Sequence, residues 1–207
     1  MTSKQQLFDG LVRRVQSCRK CLRMDGRQRV VGPANGPLDA KVMFVAEAPG
    51  RLGADRFGIP LYGDQAGRNF EALLAEVGLS RNQIFVTNAV LCNPRDPEGR
   101  NARPTREEIS NCAPHLAAAI ELVAPMLLVP LGETALIALC HIKGHRMTLG
   151  QHATQVQPWN GMRVVPLYHP GPRALIHRGK AQQAADYRVL RAYLDSMLAD
   201  MDRARED

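Results

Sequence analysis

The chain has no uninterrupted apolar run long enough to cross a membrane. The stretch from Ile120 to Cys140 is rich in Leu, Ile, Val and Ala, but Glu121, Pro125, Pro130, Gly132 and Glu133 break it. It predicts helix, turn, strand, turn and helix rather than a span. The N-terminus, MTSKQQLFDG, lacks the apolar core of a secretory signal, so a cytoplasmic location and no membrane partner are expected. No Gly-Lys-Ser/Thr and no G-x-G-x-x-G occur, which excludes a Walker phosphate loop and the dinucleotide fingerprint. No G-x-S-x-G occurs either, which argues against an esterase-like hydrolase. Acidic residues are the scarcer charge, 20 against 27 basic, giving a formal net charge of +7. That excess suits a polyanion such as nucleic acid. The five cysteines, in a chain without an export signal, argue for metal or redox use more than for a disulfide frame.

What is present is an alternation of short apolar strands and amphipathic helices. Val42 to Ala46, Ile84 to Val90, Met126 to Leu131 and Arg163 to Tyr168 read as strands. Pro166 suggests an edge position for the last. Helices are predicted over residues 3–17, from Ala66 to about Val77, from Thr105 to Val123 with Pro114 distorting or dividing it, over Glu133 to Leu139, and from about Lys180 to Asp202. Thr105 and Glu108 form a capping box. Residues 143–161 are polar and read as poorly defined. The alternation predicts an α/β fold, a three-layer α/β/α sandwich around a central parallel sheet of about four strands. At 207 residues the chain fits one domain with a sizeable core, spanning 1–207, and there is no internal repeat.

In open sheets of this kind, ligands bind beyond the carboxyl ends of the strands. Those ends present Glu47-Ala48-Pro49, Asn88, Gly132 and His169 on one rim. The Gly-rich loop after the first strand, with Glu47, Asp55 and Asp64 on it, is where chemistry is expected first. Cys18 and Cys21 form a C-x-x-C pair, and Cys92 and Cys112 could complete a four-thiolate site for structural zinc or a [4Fe–4S] cluster. Cys140 ends an apolar helix and reads as a small packing residue.

These motifs resemble a known family. Glu47-Ala48-Pro49-Gly50, Thr87-Asn88-Ala89-Val90-Leu91-Cys92, His169-Pro170, the helix start Arg103-Pro104-Thr105-Arg106-Glu107-Glu108 and the four cysteines are similar, in order and context, to the iron–sulfur branch of the uracil-DNA glycosylase superfamily, families 4 and 5. The first motif is a hybrid: its Glu-Ala-Pro-Gly looks like family 4, while its spacing from Pro49 to Asp64 looks more like family 5. The resemblance implies a monofunctional DNA repair glycosylase. Such an enzyme flips uracil, with other deaminated bases left open, out of DNA and cleaves its N-glycosidic bond. It implies a structural [4Fe–4S] cluster, zinc being the alternative, on Cys18, Cys21, Cys92 and Cys112, with residues 1–40 contributing to that site. A monomer is expected. Asn88 would read the base, and His169 would donate to its developing negative oxygen. Asp55 is favoured for positioning water, and Glu47 for shaping the base pocket together with Ala48. Tyr62 or Phe57 would stack on the base where the family often has Phe and this chain has Leu61. Arg173, His177, Arg178 and Lys180 would meet DNA, with Leu175 or Ile176 as a wedge. The competing reading is a non-catalytic nucleic-acid-binding protein with a structural four-cysteine metal site.

Overall fold

A computed structural model describes residues 3–206. Helix α1 (Lys4–Gln16) starts at a capping box in which Ser3 and Gln6 satisfy each other's backbone. Strand β1 (Val42–Ala46) follows, then the short α2 (Ala54–Phe57), α3 (Gln65–Glu76) and β2 (Ile84–Asn88). Next come α4 (Arg106–Val123), β3 (Leu127–Pro130), α5 (Glu133–Ile142), the short α6 (Leu149–His152), the strands β4 (Gln157–Trp159) and β5 (Met162–Val164), and α7 (Lys180–Glu206).

The sheet has the order β2-β1-β3-β5-β4, all parallel except β4, which pairs antiparallel with β5. Both faces are covered. Met43 and Val45 of β1 pack with Phe8, Leu11, Ile109, Leu116 and Leu139 under α1, α4 and α5. Val42, Phe44 and Ala46 point the other way, against Phe70, Leu74, Tyr187 and Leu190 of α3 and α7. This alternation across a continuous apolar run is what a strand buried on both faces requires, and it produces the expected three layers.

Three expectations need correction. The sheet has five strands, because the stretch 143–161 contributes β4. The turn Asn160-Gly161 joins it to β5 with both residues at positive φ, 47° and 76°, the geometry of a tight two-residue hairpin. The last predicted strand is consequently not an edge over its first half. Beyond Val164 it continues beside β3, with Val165 donating to Leu128 and Leu167 to Pro130, and Pro166 sits where β4 no longer covers it. Finally, Pro114 does not divide α4, which runs unbroken. Pro114 is exposed, so water can satisfy the carbonyl that its missing N–H leaves free.

Candidate active site

Strand register sets the rim. Ala46 lies opposite Asn88 at the ends of β1 and β2. A bridge between Leu131 and Leu167 carries the chain past β3 and brings His169 beside Gly132. Glu47, Asn88, Gly132 and His169 therefore meet at the carboxyl edge of the sheet.

Asn88 is buried, 1% exposed, yet its side-chain Nδ2 has no partner among the described residues. An amide donor left unpaired inside a protein costs roughly 1–3 kcal/mol. A donor held unpaired at a strand end on this rim is poised for a ligand oxygen.

His169 is half-buried, and its tautomer follows from one hydrogen bond. The backbone N–H of Gly171 donates to Nδ1 at 2.9 Å, so Nδ1 is the acceptor and Nε2 carries the proton. Burial pushes its pKa below the ordinary histidine value, while Glu47 and Asp64 pull it up. The ring is thus a neutral donor with a fixed direction. The loop behind it is anchored twice: Asn69 donates to the Pro170 carbonyl at 2.7 Å and Gln183 to the His169 carbonyl at 3.2 Å. A Cβ on Gly171 would stand 2.8 Å from His169 Nδ1, so this ring position depends on glycine there.

The carboxylates divide by environment. Glu47 accepts a 2.7 Å hydrogen bond from Thr134 Oγ1 near the start of α5, which orients it. Asp64 caps α3, its Oδ1 accepting from Gly67 N–H at 2.9 Å. Its other oxygen lies over the backbone of the Gly-rich loop: a Cβ on Gly50 would come within 2.4 Å of Oδ2. Asp55, favoured from sequence for water, is held in an ion pair, with its Oδ1 buried and without a partner among the described residues. Its Oδ2 pairs with Arg95 at 2.7 Å and its side chain is 7% exposed. Its charge is felt at Cys92, whereas His169 feels Glu47 and Asp64. Asp64 is the carboxylate beside His169 to which the sequence reading assigned no role.

Around Asp55 a network ties the Gly-rich loop down. Buried Asn93 donates to the Pro49 carbonyl at 2.6 Å and to Asn101 at 2.9 Å, and accepts from Arg95 Nε at 2.7 Å. Asn101 in turn accepts from the N–H of Arg51.

Leu61 is buried in the core with φ 50°. Phe57 and Tyr62 are exposed at the lip, edge to face with centroids 5.9 Å apart, and Arg81 lies over the Tyr62 ring. Ala48 offers only a methyl, packed toward the core under α1 and α4. Arg173, His177 and Lys180 are exposed around a turn whose Ile176 is 82% exposed. Arg178 is not free for phosphate. It forms a forked pair with buried Asp186, Nε to Oδ2 at 2.9 Å, and lies over the Tyr168 ring.

All five cysteines are free. Cys18 and Cys21 follow α1, Cys92 follows β2, and Cys112 is buried in α4. Burial, chiefly, pushes the Cys92 thiol up to about 11 and Cys112 to about 12, and neighbouring cysteines add to each shift. Four thiols thus share one neighbourhood, and Asn111 donates to the Cys21 sulfur at 3.6 Å, a contact that supports a ligating thiolate. In donor chemistry they fit a tetrathiolate metal or cluster. Among the described residues, however, no three His, Cys, Asp or Glu side chains are closed to metal-holding geometry. No described helix is long and apolar enough to cross a membrane.

The chain is similar to known proteins over most of its length. The family model described as uracil DNA glycosylase superfamily matches residues 33–192. The chain is 33% identical to a type-4 uracil-DNA glycosylase of Thermotoga maritima, over 82% of this chain and 84% of the relative. It is 32% identical to a type-4 enzyme of Archaeoglobus fulgidus, over 85% and 86%. It is 31% identical to a type-5 enzyme of Pyrobaculum aerophilum, over 80% and 83%.

Proposed function

The chain belongs to the uracil DNA glycosylase superfamily, and on that premise we propose that it hydrolyses the N-glycosidic bond of uracil in DNA, leaving an abasic site. One observation carries the reading at the level of atoms: the unpaired amide of Asn88 and the fixed Nε2–H of His169 end on the same rim.

Breaking this bond leaves positive charge on the sugar and negative charge on the base. Asn88, held rigid by burial, donates to one base atom and accepts from its neighbour, a pattern that the edge of cytosine does not satisfy. His169 donates Nε2–H to the base oxygen on which negative charge develops. A neutral donor fixed in place stabilises that charge without reorganising. Glu47, oriented by Thr134, shapes the pocket. Asp55 is the counter-ion of Arg95, so the duty of placing water and balancing the sugar cation passes to Asp64, whose Oδ2 is left over from helix capping. Arg173, His177 and Lys180 meet phosphates, with Ile176 as wedge into the stack. Cys18, Cys21, Cys92 and Cys112 would hold a [4Fe–4S] cluster, zinc being the alternative. When bound, it supplies a structural staple joining the segment after α1 to the end of β2 and to α4.

The test is base release from an oligonucleotide holding one uracil, followed by alkali, with hypoxanthine as a second lesion. Strand cleavage after alkali and little before it is expected from the native chain, and loss of cleavage from Asn88→Ala and His169→Ala. Undiminished release from both variants would overturn the site assignment. No release from the native protein, with DNA affinity intact, would favour a binding protein instead. Iron analysis and broad visible absorption separate a cluster from zinc.

A further inference from the structure

The positive charge of this protein is not spread over the proposed DNA rim. Between residues 13 and 29 there are seven bases (Arg13, Arg14, Arg19, Lys20, Arg23, Arg27, Arg29) against one acid, Asp25. This short segment holds a formal +6 of the chain's net +7. Elsewhere many arginines are neutralised: Arg81 by Glu71, Arg95 by Asp55, Arg100 by Asp96, Arg178 by Asp186, Arg191 by Asp195. Within the segment only Arg23 pairs with a carboxylate, Glu108, among the described residues. Arg29 and Arg19 bond backbone carbonyls, which orders the loop and does not cancel its charge.

Three elements bring this charge to one place. Arg13 and Arg14 are exposed on the last turn of α1, and Arg19 and Lys20 are exposed just after it. On α4, His115 is held below the ordinary histidine pKa by burial first and then by Lys20 and Arg14, which places those two bases near one another; its Nε2 is buried. Leu22, 89% exposed, stands beside these bases. The same segment reaches the catalytic loop, since a Cβ on Gly58 would lie 2.8 Å from Gln28 Nε2.

We propose that the exposed Arg13, Arg14, Arg19 and Lys20 form a second phosphate-binding surface that takes the DNA backbone beyond the lesion. It rests on the reading of DNA as substrate, and it adds a contact away from the strand-end rim. Its chemistry is sequence-independent: clustered cations release counterions from the backbone.

The experiment uses the full, metal-loaded protein and two variants, Arg13→Gln/Arg14→Gln and Arg14→Gln/Lys20→Gln. Affinity is measured against salt on undamaged duplex, long and trimmed to a few base pairs. On the long duplex each variant is expected to bind about tenfold more weakly at low salt, with the slope of log K against log salt shallower by about 2. On the trimmed duplex the slope should match the native protein's. Visible absorption should be unchanged, which shows the metal site intact, and the first variant leaves the C-x-x-C segment untouched. Native slope and affinity for both variants on long duplex would overturn the proposal, as would equal losses on both lengths. Uracil release is scored separately, because slopes on undamaged duplex are read whether or not uracil is cleaved.

Discussion

Replacing Arg178 with alanine separates two roles that look alike in sequence. If the guanidinium were a phosphate contact, its loss would leave folding unchanged and reduce the salt dependence of DNA binding by about 0.9. The structure instead makes it the counter-ion of Asp186, whose side chain is 4% exposed. Alanine would strand that carboxylate. Breaking a buried pair on one side costs about 3–5 kcal/mol. The Arg178 side chain is 32% exposed, so solvent can reach the gap and the lower end, about 3 kcal/mol, is the working figure. For a chain of this size, each kcal/mol shifts Tm by about 2–4 °C, which predicts a fall of about 6–12 °C. Thermal melts at matched metal content give the number, and DNA titrations at several salt concentrations give the slope. The double variant Arg178→Met/Asp186→Leu should recover most of the stability, because neither charge is then left alone. A Tm within about 2 °C of native for Arg178→Ala, less than 1 kcal/mol by the same conversion, together with a reduced salt slope, would refute the assignment.

Asn88→Ala should slow single-turnover release about 10²–10³-fold. DNA affinity should stay near native and Tm should not fall, since the lost donor had no partner; a drop of several degrees would show that the amide is structural. Gly171→Ala should lower kcat by about tenfold or more with little change in KM, because the new Cβ displaces His169 from its bond to the Gly171 N–H; native kcat would show that the ring can move without consequence. Stability should decline with acid. His115, His145 and His169 all have depressed values in the folded state. The unfolded chain therefore takes up protons first, and stability present above pH about 6.5 is lost as pH falls below it. Denaturant midpoints between pH 7.5 and 5.5 check this, and a midpoint flat across that range would contradict it.

The central strands were readable because a parallel strand buried on both faces must be apolar throughout, as Val42 to Ala46 and Ile84 to Val86 are. The hairpin was missed for the converse reason. Gln157-Pro158-Trp159 is too short and mixed to show a period, although Asn160-Gly161 between two such pieces is a turn signal on its own. Asn88 and His169 were visible as polar residues ending apolar runs. The pairing of Asp55 with Arg95, forty residues apart, has no local sign, and that of Arg178 with Asp186, eight apart, joins the segment ahead of α7 to the second turn of that helix. Only tertiary structure distinguishes those braces from the free groups they resemble. Asp64 carried one local sign, its place ahead of a helical pattern as N-cap, and that sign speaks of folding before it speaks of chemistry.

The loop after β1 has a floor and a lip, and they differ in their freedom to change. At Gly50, Gly53 and Gly67 an added Cβ would fall within 3 Å of Asp64 or Tyr62 atoms, so any other residue there displaces Asp64 or the Tyr62 backbone. Leu52, Phe57 and Tyr62 are 60%, 48% and 41% exposed, so exchanging their side chains leaves the core packing in place. For anyone seeking to redirect the enzyme toward a different damaged base, the place to randomise is those three lip positions. A library that leaves the floor glycines alone would keep its members folded while sampling new pocket walls.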